Sequence, residues 1–282
     1  MFPAVLSKVT AFPVASAPPH LRGFWTTDRI ILTVALALLP PLAQAIYTTG
    51  FALLPTLAVA LAVAIGWQVL FSRCRGRAWT PSGIITAMAV VMMLPPAASL
   101  GHIALAVSFG VVVGEQVFGG YGWNFLNPAS VALAFLMFSF PNGGYEQGGS
   151  AGWAVCVPGG LLLTMTGIIS WRVIVAALGG AVGVSYGAGG SWPPLHLLEN
   201  SLVFGLIFLA CDPVSAPATT LGRWVYGLII GGLVAWGVSG TEGAADDIVF
   251  ACLIGGLFAP LIDQGVIWLN VARRRRRNVE AA

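Results

Sequence analysis

The chain has 282 residues, of which 57% are hydrophobic and only 8% are charged, with a formal net charge of +3. Soluble domains carry about 25% charged residues, so the composition excludes an ordinary soluble protein and indicates one integral membrane domain. The excess positive charge comes mostly from an arginine block at Arg273–Arg277. Beside a bilayer such a block is more typical of a topology signal or an anionic-lipid contact than of nucleic-acid binding, and no nucleic-acid partner is predicted.

Apolar runs divide the chain into about ten predicted transmembrane helices. Residues 1–21 lack a basic start followed by an apolar run, so no cleavable signal is predicted. Several runs are shorter than the ~20 residues of a straight crossing, which favours discontinuous helices packed among their neighbours. The predicted spans are 30–47, 51–71, 82–97, 100–118, 128–141, 155–171, 173–190, 197–211, 222–239 and 247–271.

The basic residues follow one side of this predicted topology. Counting ten spans puts every Lys and Arg on the side that holds both termini, which the positive-inside tendency assigns to the cytoplasm. The sequence therefore predicts a multi-pass membrane protein with both termini cytoplasmic. The predicted organisation is a cytoplasmic segment at 1–29, a membrane domain at 30–271 and a cytoplasmic arginine-rich tail at 272–282.

The fold class predicted from this pattern is all-α and integral to the membrane. Five spans in each half imply that any internal repeat is inverted, a five-plus-five arrangement. Two similar segments support such a repeat weakly. Trp79-Thr80-Pro81 precedes the third span, and Trp192-Pro193-Pro194 precedes the eighth.

Three polar segments with backbone breakers interrupt the apolar runs, at 75–83, 119–129 and 212–223. At membrane depth such segments line a cavity or are buried in protein, and their amides and hydroxyls are suited to the edge of a flavin ring. The simpler interpretation is a set of capped turns. Asp212 or Ser215 would then cap a following helix, and Asn127 would cap the helix that begins at Pro128.

A few other polar side chains fall within or beside the predicted spans. Glu115 is the acid closest to a bilayer interior and is a functional candidate by default, unless it extends to the cytoplasmic end of its span. Asp263 follows Pro260 and is suited to capping a broken helix. His102 and His196 are expected to be interfacial hydrogen-bonding residues. The four cysteines show no ligand spacing, and each is expected to be a buried thiol.

Ordered motifs along about 90% of the chain resemble the D subunit of Rnf complexes and, more distantly, the B subunit of the sodium-translocating NADH:quinone oxidoreductase. Each matches a short family pattern in the expected order. The matching segments are Ser16–His20 with Ala35–Pro40, Pro81–Pro96, Asn124–Ala129 with Phe135–Pro141, Ile169–Arg172, Asp212–Arg223, and Glu242–Gly243 with Phe250–Ala251 and Ala259–Asp263.

The resemblance implies a subunit of about ten helices in an inverted repeat like that of urea channels. It also implies a complex in the inner membrane that moves electrons between ferredoxin and NAD and couples this to ion transport. Subunits of this kind usually hold one FMN covalently on a threonine at the outer side and a second, noncovalent flavin nearer the interior or cytoplasmic face. The implied partners are other Rnf- or Nqr-like membrane subunits, a membrane-associated cytoplasmic subunit that delivers electrons, and the lipid bilayer.

The chain departs from the family where the flavin-bearing threonine is expected. No Thr occurs from Pro141 to Leu163, and Ser150 is the only hydroxyl-bearing candidate there apart from Tyr145. A phosphoester needs a hydroxyl nucleophile, and the shortened loop at 142–154 offers only Ser150, a weak acceptor. We therefore predict that the chain carries no covalent FMN.

The resulting prediction is a membrane subunit of an Rnf-type complex that scaffolds its neighbours, holds a noncovalent flavin (riboflavin or FMN) and does not catalyse alone. In this prediction the polar segments supply the flavin contacts. The alternative is a urea-channel-like transporter without a redox role, with a pore lined by Thr80, Thr220 and aromatic rings. The predicted flavin contacts are Asn124, Asn127, Asp212, Ser215, Thr219 and Thr220, and no catalytic or metal-binding residue is predicted.

Overall fold

The computed structural model describes residues 25–95, 98–145, 152–187, 200–238 and 244–280. All regular structure in these ranges is helical, as the composition predicts. The helices are α1 (Thr27–Thr49), α2 (Leu53–Arg75), α3 (Gly83–Met93), α4 (Leu100–Val111), α5 (Pro128–Ser139), α6 (Trp153–Met165), α7 (Trp171–Gly187), α8 (Asn200–Gly205), α9 (Thr220–Val238) and α10 (Ala244–Glu280).

Two of the helices continue into π-helical turns, Val112–Gln116 after α4 and Leu206–Ala210 after α8. Insertions of this kind within helices occur frequently at functional sites. A single 3₁₀ turn, Gly50–Ala52, joins α1 to α2. The stretches Thr27–Arg75 and Ala245–Arg274 are long and apolar enough to cross a bilayer.

The core is formed around α3, which packs against α1, α2, α4 and α5. Every residue of α3 from Thr86 to Met93 is buried, and α5 is buried over most of its length. A helix that is apolar on all sides belongs in the centre of a bundle. By contrast, α1 and α10 carry large exposed apolar side chains, including Leu32, Leu36, Leu261 and Trp268, and these faces are suited to lipid or to a neighbouring subunit.

The same helix pairings recur in the two halves of the chain. Helix α2 packs on α4 as α7 packs on α9, and α4 packs on α5 as α9 packs on α10. In the same way α3 contacts α1 and α5, and α8 contacts α6 and α10. Both α3 and the stretch 200–210 have 11 residues, about 16 Å and roughly half of a bilayer core. The contact between α2 and α3 has no counterpart of similar extent between α7 and α8, so the five-plus-five repeat and its inversion stay predictions.

Close backbone contact between helices depends on small residues. A side chain at Gly180 would lie 2.6 Å from the carbonyl oxygen of Leu228, and one at Gly227 would lie 2.6 Å from that of Val173. Helices α7 and α9 therefore pack backbone against backbone, which a larger residue prevents.

One prediction about a broken helix is wrong. Helix α10 runs through Pro260 without a break, so Asp263 does not cap a broken helix. Proline is tolerated inside transmembrane helices because neighbouring groups satisfy the freed backbone. The same helix continues to Glu280, so the arginine-rich tail is helical where the structure describes it. The segment with Trp192-Pro193-Pro194 lies outside the described residues.

Candidate functional site

All three polar segments meet the ends of α3 and α4 at one narrow cavity inside the bundle. The cavity has a volume of about 30 Å³, which is about the volume of one water molecule in the liquid. Its polar lining residues are Ser82, Thr86, Glu115, Tyr121, Asn124, Asn127, Cys211 and Asp212. Residues more than 120 positions apart in sequence are thus brought together around the same space.

Glu115 is the most enclosed charged group at this cavity. It lies in the π turn after α4 and is completely buried, with 0% of its surface exposed. Its Oε1 accepts hydrogen bonds from Ser82 Oγ at 2.8 Å, Gln68 Nε2 at 3.2 Å and Gln116 Nε2 at 2.9 Å. The Glu115 side chain is therefore enclosed by protein and does not extend to solvent, and its position relative to the cytoplasmic face stays a prediction.

The second carboxyl oxygen of Glu115 is buried and has no hydrogen-bond partner among the described residues. The Oε1 atom of Gln68 is also buried and also has no hydrogen-bond partner among the described residues. Buried polar atoms are usually satisfied, so an exception at a cavity marks a place where water or a ligand group is accommodated. Glu115 therefore borders the cavity as a polar group with free acceptor capacity.

Asn127 has the predicted capping role. Its Oδ1 accepts from the backbone amides of Ala129 at 2.8 Å and Ser130 at 3.4 Å, with Pro128 at the first helical position. Its Nδ2 donates to the carbonyl oxygen of Leu209 at 3.3 Å. Since Leu209 lies in the second π turn, the Asn127 side chain joins the two halves of the chain at the cavity wall.

Asn124 shapes the preceding loop. Its Oδ1 accepts from the Gly122 amide at 3.2 Å and its Nδ2 donates to the Leu126 carbonyl at 2.9 Å. Gly122 has a φ of 90°, which glycine adopts without strain. Both ends of the Asn124 amide are therefore committed to the loop, although its side chain borders the cavity.

Asp212 closes a turn and does not cap the next helix. Its Oδ2 accepts from the Ser215 amide at 2.9 Å and from Ser215 Oγ at 2.8 Å. Helix α9 begins only at Thr220, and the hydroxyl that caps it belongs to Thr219, which accepts from the Gly222 amide at 3.1 Å. The capping role considered for Asp212 or Ser215 is therefore wrong, because residues 216–219 lie between them and the start of α9.

Asp263 of α10 holds this same loop in place. Its Oδ2 accepts from the Ala218 amide at 2.7 Å, and its Oδ1 accepts from the Thr219 amide at 3.1 Å and hydroxyl at 2.5 Å. Three donors to one carboxylate form a strong local contact. Asp263 thus connects α10 to the start of α9.

The structure separates the six predicted flavin contacts into two groups. Asn124, Asn127 and Asp212 line the central cavity, whereas Ser215, Thr219 and Thr220 do not. Thr220 is exposed at the first position of α9. Ser150 and His196 lie outside the described residues.

Three cavity-associated residues were not singled out from the sequence. Gln68 is one of two buried polar residues within α2, and Gln116 adjoins Glu115. A long amide in the middle of an apolar helix was the available signal for Gln68. Tyr121 gave no periodic signal, because it lies in a loop.

Burial raises the pKa of the Tyr121 hydroxyl, and the nearby Asp212 and Glu115 carboxyls raise this pKa further, so the hydroxyl is neutral at physiological pH.

Two wider clefts adjoin the central cavity. One of about 170 Å³ shares Tyr121 with it and is bordered by Arg75, Arg77 and Trp123. The other, of about 180 Å³, shares Cys211, Asp212 and Pro213 with it and is bordered by Arg223. The three polar segments therefore surround a group of neighbouring spaces that share lining residues, each smaller than the roughly 300 Å³ of a typical ligand pocket.

Other predicted polar residues have structural contacts. His102 Nδ1 lies 2.7 Å from the Tyr145 hydroxyl, and the His102 ring stacks on Phe140 with centroids 3.8 Å apart. Three of the cysteines are buried as expected, whereas Cys74 is exposed. No metal-binding group of three or more His, Cys, Asp or Glu side chains occurs in the described ranges.

Known proteins give an independent comparison. The family described as NQR2, RnfD, RnfE matches residues 14–147 and 143–270. The B subunit of the Na⁺-translocating NADH-quinone reductase of Ectopseudomonas mendocina is 33% identical, over 80% of this chain and 70% of its own length. The corresponding proteins from Pseudomonas paraeruginosa and Azotobacter vinelandii are each 32% identical, over 92% of this chain and 78% and 77% of their own lengths.

The alignment with the Pseudomonas paraeruginosa protein occupies 316 positions, more than the 282 residues of this chain. The relative therefore contains residues with no counterpart here. With both halves of the sequence matched to one family description and the identity maintained over most of its length, the chain belongs to the NQR2, RnfD, RnfE family.

Proposed function

We propose that the chain is a membrane subunit of an ion-translocating electron-transfer complex of the Rnf and Nqr class. The observation that carries the proposal is the meeting of the Asn-Pro break, the Asp-Pro turn and the buried Glu115 at one cavity. Polar, irregular backbone inside a bundle of apolar helices is retained where it lines a working space. The relatives are named as subunits of Na⁺-translocating NADH-quinone reductases, which favours the Nqr-like assembly over the ferredoxin-linked assembly indicated by the motifs.

The proposed cofactor is a noncovalent flavin, riboflavin or FMN, at the group of spaces around Asp212. Asp212 borders both the central cavity and the cleft of about 180 Å³, and a carboxylate accepts hydrogen bonds from ribityl hydroxyls or a ring N–H. When bound, the flavin supplies the electron-transfer chemistry, and the protein positions it. Asn124 and Asn127 would contribute to the walls, because their amide groups already bond the backbone.

The described cavities are too small to enclose a flavin by themselves, so the proposed site is shared with a neighbouring subunit. The central cavity of about 30 Å³ does not enclose a three-ring system, and the adjoining cleft alone is below the size of typical ligand pockets. A neighbouring subunit would complete the enclosure. This agrees with a chain that scaffolds other membrane subunits and a cytoplasmic electron-input subunit and does not catalyse by itself.

We also propose that the covalent FMN of the family is absent. The segment from Pro141 to Leu163 has no threonine, and the two family matches meet at residues 143–147, within it. The Pseudomonas paraeruginosa protein has residues with no counterpart in this chain. This supports a shortened loop here, although the alignment length does not show where the missing residues lie. Ser150 is the only alternative acceptor of the expected kind in this segment.

The test is to purify the intact complex and measure its flavins after acid precipitation. We expect flavin in the soluble extract and no fluorescent band at the mass of this subunit in a denaturing gel. Asp212→Asn is expected to lower the extractable flavin, whereas Asp28→Asn, at the exposed start of α1, leaves it unchanged. A fluorescent band abolished by Ser150→Ala would contradict the covalent part of the proposal.

The transporter alternative makes a different prediction for the same preparation. It expects a colourless complex and solute flux through the isolated chain in liposomes. Absence of any extractable flavin from the intact complex, together with such flux, would refute the proposed function.

A further inference from the structure

The cleft beside the end of α2 has a chemical character that the proposed function does not use. It has a volume of about 170 Å³, enough for a phosphate group and several waters at about 30 Å³ each. Two guanidinium groups border it, from Arg75 and Arg77, and its lining residues include no Asp or Glu. The cleft is therefore a positively charged space with hydrogen-bond donors.

The local structure positions both arginines. Helix α2 ends at Arg75, and Gly76 follows with a φ of 62° in the left-handed conformation. The amides of Gly76 and Arg77 donate back to the carbonyl oxygens of Arg73 and Ser72. This glycine cap turns the chain sharply, so that Arg75 and Arg77 border the same cleft.

Each guanidinium is held by one contact and keeps other donors available. The Arg75 guanidinium lies 5.0 Å above the Phe71 ring. Arg77 Nη1 donates to the Gly119 carbonyl at 3.1 Å, which anchors it to the loop on the other side of the cleft. A guanidinium has five N–H donors in a planar fork that matches phosphate oxygens. Anchored side chains lose less conformational entropy when a ligand binds.

The surroundings of the cleft are those of a membrane–water interface. It lies at the end of an apolar stretch long enough to cross a bilayer. Trp79 and Trp123 next to it are 46% and 72% exposed, and exposed tryptophans are enriched at the headgroup level of membranes. Basic pockets between helices at this level bind anionic headgroups.

We propose that this cleft binds the phosphate headgroup of an anionic phospholipid, with Arg75 and Arg77 as the ligands of the phosphate oxygens. Thr80 adds a hydroxyl to the lining, and the exposed tryptophans flank the glycerol region. The bound lipid would fill the space between α2 and the 117–123 loop, and so stabilise the loop that leads to Asn124.

The first test uses the wild-type protein only. The full chain is purified from membranes and exchanged into detergent that contains equal amounts of dioctanoyl phosphatidylglycerol and phosphatidylcholine. Native mass spectrometry is then expected to show one phosphatidylglycerol molecule retained in preference to phosphatidylcholine. Equal retention of the two lipids would overturn the proposal whatever the variants do.

The second test is a binding titration by thermal shift with dioctanoyl phosphatidylglycerol. The Arg75→Gln/Arg77→Gln variant is expected to bind about 30-fold more weakly, and Arg75→Lys/Arg77→Lys to recover part of the loss. The matched control Arg73→Gln/Arg172→Gln removes the same charge from two residues that do not line the cleft and is expected to bind as the wild type does. Equal weakening in this control, or the same thermal shift with inorganic phosphate alone, would refute a lipid site in the cleft.

Discussion

The contact between α7 and α9 gives a sharp prediction about packing. A methyl group added at Gly231 would overlap the backbone carbonyl of Ala177, with its carbon 2.6 Å from the carbonyl carbon and 2.8 Å from the α-carbon. Its neighbour Gly232 is different, since a methyl group there would meet only Val184 Cγ2 at 3.6 Å, an ordinary contact. The two glycines are adjacent in one helix and differ mainly in what they face.

The magnitudes follow from two opposing effects. Replacing a helical glycine by alanine favours the helix by about 1 kcal/mol at either position. At Gly231 the backbone atoms of α7 cannot rotate away as a flexible side chain would, so the two helices must move apart. Overpacking of this kind costs roughly 1–3 kcal/mol and occasionally more. We expect Gly231→Ala to lower the free energy of unfolding by up to about 2 kcal/mol and Gly232→Ala to leave it equal or slightly higher.

The assay is thermal unfolding in detergent, followed by tryptophan fluorescence and by the fraction that stays monodisperse after heating. Because the same residue type is introduced at adjacent positions of one helix, differences in hydrophobicity cancel. If Gly231→Ala unfolds at the same temperature as Gly232→Ala, the backbone contact between α7 and α9 is not as close as described and the reasoning is refuted.

Two further predictions concern the polar turns. Asp263→Ala removes the acceptor for three donors of the 218–219 segment and is expected to destabilise the loop by about 1–3 kcal/mol. The rate of amide hydrogen exchange should then rise at Ala218 and Thr219, whereas the control Asp28→Ala should leave that rate unchanged. An unaltered exchange rate in Asp263→Ala would contradict the role of Asp263 in holding this loop. Asn127→Ala removes the cap of α5 and should cost about 1 kcal/mol in thermal unfolding, whereas Asn127→Asp keeps a capping oxygen and should cost less. Equal losses in the two variants at this position would show that the cap contributes little.

Several features of the fold were predictable because they depend on residues close together in sequence. The Asn127-Pro128 pair indicated a capped helix start, and this is confirmed. The span predicted at 128–141 corresponds to α5, which runs from Pro128 to Ser139. By contrast, the Asp212 turn was assigned a capping role that belongs to Thr219, because the sequence does not show how far the next helix lies from the turn.

The candidate site was predictable only in part. All three polar segments that the sequence marks contribute to one cavity, with Ser82, Asn124, Asn127 and Asp212 at its border, and the flavin-binding role of these residues stays a prediction. The contribution of Gln68 and Ser82 to the Glu115 network was not predicted, since these residues are 47 and 33 positions from Glu115. Their proximity depends on how α2, α3 and α4 pack, which no local pattern encodes.

The sequence alone determined that this protein is a helical bundle for an apolar environment, because its composition and the spacing of its apolar runs indicate this. The positions of Pro, Gly and Asn indicated roughly where most helices begin and end. The motifs indicated the family. These properties depend on solvation and on local hydrogen bonding, which act over a few residues. Only the tertiary structure decided which polar groups share the cavity, that Asp263 holds the start of α9, and that Arg75 and Arg77 face one cleft. Those relations depend on close contacts between helices distant in sequence, and the shapes of the packed side chains determine them.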